Sequence, residues 1–416
     1  MQPVRLFNFL QLRSNIPAIL LLVTSLIGIY SCQSNNKAAA ASTDNIHYFQ
    51  IPSDSISYAE KSMLGAKCEQ WYNHTLKKTP FHGGILIAKK GVPVFEQYQG
   101  NEAPKTSNKV DENTSMHIAS VSKTFTAAAI LKLLDDGKLS LSDPLSKYFP
   151  NFDYPGVTIQ TLLSHRSGLP NYAYFTEDLK WNKTIPLTNR DILRLMTEHK
   201  NEIKDISTPN THFSYCNTNF ALLALVIEEI SKVPYDVYLQ KNFFIPLQMN
   251  HTYVFHLSDT SKSTGSYKSD GVLIPFDYLD NIYGDKNIYS TVRDLLIWDR
   301  ALSLGLILKP ETLKLAYTPY SNEKPGFRNY GLGWRMNLYP NGKRIVYHNG
   351  WWHGSNASFI RLLDEQATII VIGNRFTRQV YKAVKLASLF GAYPVGGETP
   401  EDTANFNMEN AGAGSK

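Results

Sequence analysis

Ser120 and Lys123 have types and a spacing that could do acyl-transfer chemistry, and the pairs Tyr215-x-Asn217 and His348-x-Gly350 follow further along the chain. A hydroxyl and an amine three residues apart share one face of a helical turn. Lysine is almost never fully buried without a reason, and burial at the positive end of a helix makes it release its proton more readily. Ser120 and Lys123 open the apolar run of residues 120–134, so they read as a nucleophile with its own base. Tyr215 can share the proton traffic if an adjacent ammonium lowers its pKa. Asn217 offers an amide to the lysine or to a substrate carbonyl. Gly350 lets a strand backbone approach a ligand closely.

Setting separates this Ser-x-x-Lys from two others, Ser34–Lys37 in a polar stretch and Ser321–Lys324 in a charged, Pro-bounded loop. Neither of those would desolvate its lysine. The helix predicted over residues 120–134 closes at Asp136-Gly137, where glycine can take the left-handed conformation. Tyr215 and Asn217 stand just before a strongly apolar helix predicted over residues 220–230, and His348 and Gly350 lie where the chain returns to strands.

The elements that must position these residues follow a simple order. A helix is predicted over residues 57–77, then a hairpin, 83–88 and 92–98, around Lys89-Lys90-Gly91. Helices are expected over 188–199, 235–244 and 291–304, and Tyr172, Tyr174 and Phe175 are expected on a loop at a cleft rim. His165, Arg166 and Asp143 read as loop structure. The last third reads as strands over 330–338, 344–347, 357–363 and 367–373, then a closing helix over 381–390. Short connections favour antiparallel pairing. Strands at both ends around a helical middle imply an α+β fold, one sheet beside a mostly helical lobe, with a site in the cleft between.

Length and composition agree with a large core: 416 residues, 43% apolar. Net charge is +6 with no basic run, so nucleic-acid binding gains no support. Residues 16–30 form an apolar run of signal-peptide length behind Arg5 and Arg13. They lead to Ile29-Tyr30-Ser31-Cys32, similar to a bacterial lipobox with Cys32 as the lipidated residue; an uncleaved signal anchor is the alternative. The expected organisation is a signal peptide over 1–31, a tether over 32–54, one domain over 55–390 and a disordered tail over 391–416. Either reading of the leader expects the domain at a membrane in the cell envelope, facing the periplasm or exterior. Cys68 and Cys216 could pair in such a compartment, though two separate buried thiols fit a chain this large better. No Cys/His cluster has zinc spacing and there is no His-Glu-x-x-His, so no metal is expected. A Gly-x-Ser-x-Gly elbow is absent, which excludes an α/β-hydrolase esterase.

The ordered set Ser120-x-x-Lys123, Tyr215-x-Asn217, His348-x-Gly350 resembles the serine beta-lactamase/penicillin-binding protein superfamily, and within it the class C beta-lactamase-like branch. Flanking phrases over residues 84–94, 136–145, 162–170, 289–295 and 330–334 are similar to that branch's usual wording, so the resemblance covers roughly residues 55–390. It implies a beta-lactamase/transpeptidase-like fold, an antiparallel sheet flanked by helices plus the helical lobe. It implies a serine hydrolase forming a Ser120 acyl-enzyme on a peptide, amide, ester or beta-lactam carbonyl, D-Ala-D-Ala carboxypeptidase- or esterase-like first. Lys123 and Tyr215 would be catalytic, and Asn217, His348, Gly350 and Trp351 would bind substrate, with the Ser120 and Trp351 N–H groups forming an oxyanion hole. No cofactor is implied; the partner would be a small molecule or a peptide such as a peptidoglycan stem peptide. A non-catalytic module that binds cell-wall peptides or a protein partner is the competing reading. His348 departs from the lysine of classical beta-lactamases, which weakens the case for efficient beta-lactam hydrolysis.

Overall fold

The computed structural model describes residues 48–52, 54–103 and 106–394. The signal-peptide and lipidation readings at Cys32, most of the tether, and the tail beyond residue 394 lie outside the described residues.

Along the chain, helix α1 (Tyr58–Thr75) is capped by the Ser57 hydroxyl, which accepts from the Glu60 amide at 3.1 Å. Strands β1 (Gly83–Lys89) and β2 (Val92–Gln99) form the expected hairpin, turning at Lys90 and Gly91, whose φ of 53° and 78° make the reversal. After β3 (Met116–His117) comes α2 (Ser122–Asp135). A helical stretch follows: α3 (Ile159–Leu163), α4 (Tyr172–Asp178), α5 (Asn189–Glu198), α6 (Asn217–Ser231) and α7 (Tyr235–Leu239), which runs into a π-turn over Gln240–Phe244. Short strands β4 (Tyr253–Val254), β5 (Ser266–Tyr267), β6 (Leu273–Ile274) and β7 (Ile288–Ser290) precede α8 (Val292–Ser303) and α9 (Pro310–Ala316). The chain closes with β8 (Arg328–Tyr330), β9 (Arg335–Leu338), β10 (Arg344–Trp352), β11 (Ser355–Leu362), β12 (Ala367–Gly373) and a 3-10 helix over Arg378–Leu389.

Seven strands make one antiparallel sheet in the order β2-β1-β12-β11-β10-β9-β8. The N-terminal hairpin thus pairs with the last strand, Gly83 opposite Gly373. Alternation divides the side chains of its buried strands between two cores. Ile85, Ile87, Ile369 and Val371 face α1 and the closing 3-10 helix, while Leu86, Ala88, Ile370 and Ile372 face α2 and the helical lobe. Both faces being covered explains why these strands read as nearly continuous apolar runs. This is the expected α+β arrangement, an antiparallel sheet flanked by helices beside a mostly helical lobe.

Two local expectations are corrected. Residues 172–178 form α4 rather than a loop, started by Asn171, and Tyr172 and Phe175 are buried while Tyr174 stays exposed. Residues 328–338 are two strands, because the chain folds back at Gly331 and Gly333, where a Cβ would lie 2.1 Å from the Ala316 carbonyl and 2.3 Å from Ala127 Cβ. Cys68 and Cys216 are the two separate buried thiols that the length of the chain favoured. Burial pushes them up to about 12 and about 11.

Candidate active site

Ser120 stands in a 3-10 turn, Ala119–Val121, that leads into α2. Ala119 has φ 49°, a left-handed conformation disfavoured for a residue with a Cβ. The turn is held from outside. Ile118 N–H donates to the Ile288 carbonyl at 2.9 Å, Ile288 N–H donates to Ser122 Oγ at 3.1 Å, and Ala119 N–H donates to His117 Nδ1 at 3.1 Å. His117 Nε2 in turn meets Asn287 Oδ1 at 3.0 Å, which fixes its proton on Nε2. Burial pushes His117 down to about 4.

Lys123 is wholly buried, with Nζ 3.0 Å from Ser120 Oγ and 2.8 Å from the carbonyl oxygen of Asp285. One helical turn on, Thr126 donates to the Gly284 carbonyl at 2.6 Å. The segment Gly284–Ile288 is therefore stitched along the N-terminal two turns of α2. Tyr215 presents its ring 5.0 Å from Lys123 Nζ. Asn217 opens α6, and its Oδ1 is buried without a hydrogen-bond partner. The structure brings Ser120, Lys123 and Tyr215 together.

The third pair sits on β10, which packs against the Ser120 turn. A Cβ on Gly350 would lie 2.2 Å from the Ile118 carbonyl and 3.1 Å from the Ser120 amide nitrogen, so only glycine permits this approach. Trp351 follows in the same strand, its indole N–H donating to the His353 carbonyl at 2.6 Å. His348 is fully buried. Its Nδ1–H donates to the Asn349 carbonyl at 2.7 Å, leaving Nε2 to accept from the Tyr330 hydroxyl at 3.2 Å. Burial, with the charges of Arg335 and Lys123, holds it well below the usual histidine range, so it is neutral.

Several residues here escaped the sequence reading. Arg335 on β9 sets its guanidinium 4.8 Å over the Tyr215 ring and brings a permanent cation close to His348. His165, read as loop structure, is buried with its ring 4.3 Å from that of Tyr215, and its Nδ1 accepts from the Cys216 amide at 3.1 Å. Burial, then Lys123, Arg335 and His348, keep it neutral too. The signal for both was present: each follows or sits inside a phrase already singled out, residues 330–334 and 162–170. Arg166, the next residue, pairs with Glu323 at 2.7 Å, and Asp143 accepts from the Ser140 amide at 2.8 Å, both structural.

Among the described residues, Asp277, Asp280 and His353 are the grouping close enough to hold a cation. Asp280 already accepts from Trp352 Nε1 at 2.6 Å, from His353 Nε2 at 3.1 and 3.0 Å, and from the Asp277 amide at 2.5 Å. Its oxygens are spent on protein donors, and the cluster reads as a hydrogen-bonded knot.

The family described as Beta-lactamase matches residues 73–390. Penicillin-binding protein 4* of Bacillus subtilis (strain 168) is 29% identical over 356 residues, covering 80% of this chain and 78% of that protein. The octameric penicillin-binding protein homologue from Pyrococcus abyssi superposes with a TM-score of 0.68 at 26% identity, over 79% of this chain and 78% of that one. A D-stereospecific amidohydrolase from Streptomyces sp. superposes with a TM-score of 0.58 at 22% identity, over 79% of this chain and 98% of that one, a likeness of fold.

Proposed function

The chain belongs to the beta-lactamase family of serine hydrolases, and on that premise we propose that it is an exported, membrane-anchored acyl-transfer enzyme working through a Ser120 acyl-enzyme, D-Ala-D-Ala carboxypeptidase- or esterase-like. The observation that carries this reading is the buried Lys123 Nζ placed 3.0 Å from Ser120 Oγ. A lysine wholly removed from water beside a hydroxyl is suited to take its proton.

In this reading Ser120 Oγ attacks the substrate carbonyl as its proton passes to Lys123. The developing oxyanion is held by the N–H groups of Ser120 and Trp351, each such donor worth about 3–4 kcal/mol in the transition state. Tyr215 carries the proton to the leaving group, and Asn217 Oδ1, which has no hydrogen-bond partner among the described residues, accepts from a substrate amide. Water then hydrolyses the ester and restores Ser120. His348, being neutral, shapes the β10 wall through Tyr330, and Arg335 supplies the positive charge for a substrate carboxylate. Support for a peptide or ester over a beta-lactam comes from this exchange of a lysine for a buried neutral histidine. Export and anchoring rest on the apolar run at residues 16–30 and on Cys32.

The test is labelling of the full chain by a fluorescent penicillin and by a fluorophosphonate, beside Ser120→Ala. Labelling by at least one probe, abolished in the variant, is expected. Labelling of neither would favour a binding module, and labelling that survives Ser120→Ala would remove Ser120 as nucleophile.

A further inference from the structure

Directly behind Lys123 lies an ion pair that the proposed chemistry does not use. Asp285, whose carbonyl receives Lys123 Nζ, is fully buried. Its carboxylate accepts the Tyr172 hydroxyl at 2.7 Å on Oδ2, while Oδ1 is buried with no partner. Lys286, the next residue, is also buried, and its Nζ donates to the same Tyr172 oxygen at 2.6 Å and lies 3.5 Å from Asp285 Oδ2. The ammonium sits 4.5 Å over the Trp352 ring and 5.1 Å over the Tyr172 ring. Two aromatic faces thus hold it in place.

A buried ion pair is seldom needed for stability, since apolar residues of like volume serve as well. Its place matters more. A buried carboxylate in the residue that tethers Lys123 would favour the protonated ammonium, because charges are weakly screened away from water. That would disarm a base. The carboxylate ties α4 to the Gly284–Ile288 segment through Tyr172 and so aims the Asp285 carbonyl. The ammonium beside it cancels the field the carboxylate would otherwise impose. We propose that Lys286 is a positioning residue of the Ser120 site, which holds and neutralises the Asp285 carboxylate so that Lys123 can give up its proton and act as base.

This inference rests on the reading of Lys123 as base. Facing Lys123 are Ser120 from its own helix, Tyr215 and Phe220 across the cleft, and Asp285 from the tethering segment, with Arg335, His348, His165 and Cys216 around them. Facing the ion pair are Tyr172, Trp352, His117, Asp277, Asp280 and His353. His117 is neutral down to about pH 4, and burial keeps His165 and His348 well below their ordinary value. An acid limb nearer neutrality therefore does not come from these three.

The experiment is the pH profile of the second-order rate constant for fluorophosphonate labelling of the full chain. Lys286→Gln should move the acid limb up by about 1–2 pH units, with a loss of about 10–100-fold near neutral pH that is regained at high pH. Asp285→Asn should move the limb down, and Asp285→Asn with Lys286→Gln should return it to the wild-type position. If Lys286→Gln alone does not fold, the double variant must still titrate above Asp285→Asn, since removing the ammonium raises the limb in either background. A limb that stays in place on loss of Lys286, or activity lost equally at every pH, overturns the inference. Labelling that survives Ser120→Ala would instead sink the underlying reading.

Discussion

His117 Nδ1 accepts the amide N–H of Ala119 at 3.1 Å, one residue before the proposed nucleophile. The acceptor must be neutral to do this, and burial keeps it so down to about pH 4, against 6.5 for a free imidazole. The stabilisation is complete above the unfolded value of 6.5, declines as pH falls from 6.5 to about 4, and levels off below that. Over that window the shift is worth about 3 kcal/mol. We predict that His117→Phe makes the dependence of melting temperature on pH between those values shallower, the remainder coming from the buried His165 and His348, and lowers acylation about 10–100-fold by loosening the Ser120 turn. An unchanged slope would remove His117 from that account.

Gly350→Ala should do more harm than its single added methyl suggests. The Cβ would meet the Ile118 carbonyl at 2.2 Å and the Ser120 amide nitrogen at 3.1 Å, both backbone atoms that cannot swing aside. β10 would have to retreat from the Ser120 turn. The expected loss is about 1–3 kcal/mol in urea denaturation, with probe labelling reduced about 100-fold or more. Wild-type labelling would mean the strand and turn are not in close contact.

If Arg335 receives a substrate carboxylate, Arg335→Gln should discriminate between substrates. The ratio of kcat/KM for a peptide ending in a free carboxylate to that for its amidated counterpart should fall about 10–100-fold, the worth of a charge-assisted hydrogen bond. Equal losses on both peptides would assign Arg335 to packing against Tyr215 alone.

Remote from the site, Asp299 accepts Arg361 Nε at 2.5 Å and Thr368 Oγ1 at 2.6 Å in the interior. Asp299→Ala strands the Arg361 guanidinium, which should lose about 3–5 kcal/mol of stability. Under conditions where the variant is folded, Ser120 labelling should persist.

Much of the fold was legible because local signals and burial agreed. Lys90-Gly91 marked the β1–β2 hairpin, and the helix expected over 188–199 is α5, which the structure shows to be started by a reciprocal cap between Thr188 and Asp191. The first turn of α6 was hidden by its polar letters, Asn217-Thr-Asn219; Thr218 and Asn219 face inward there, donating to the Pro170 carbonyl at 2.7 Å and approaching His165 at 3.3 Å. The closing helix over residues 381–390 is a 3-10 helix starting at Arg378, a choice of winding that side-chain pattern does not encode. In the site, Ser120 and Lys123 were visible because three residues make a local spacing. Asp285 was not, because what it offers Lys123 is a main-chain oxygen, and every residue has one. His348 was seen as a motif residue, but its neutrality depends on burial beside Arg335 and Lys123, which only the folded chain supplies.

The hydrogen bond from Lys123 to Asp285 spans 162 residues, and β1, paired with β2 on one side, finds its other neighbour only in β12. A chain delivered from its N-terminus therefore carries Ser120 and Lys123 long before either has its supports. The tether arrives with residue 285, the close-packed wall with Gly350, and the strand that seals the sheet with residues 367–373. The site cannot be complete before residues 367–373 are in place, and loss of the final strand would leave β1 with an open edge and the cleft unfinished.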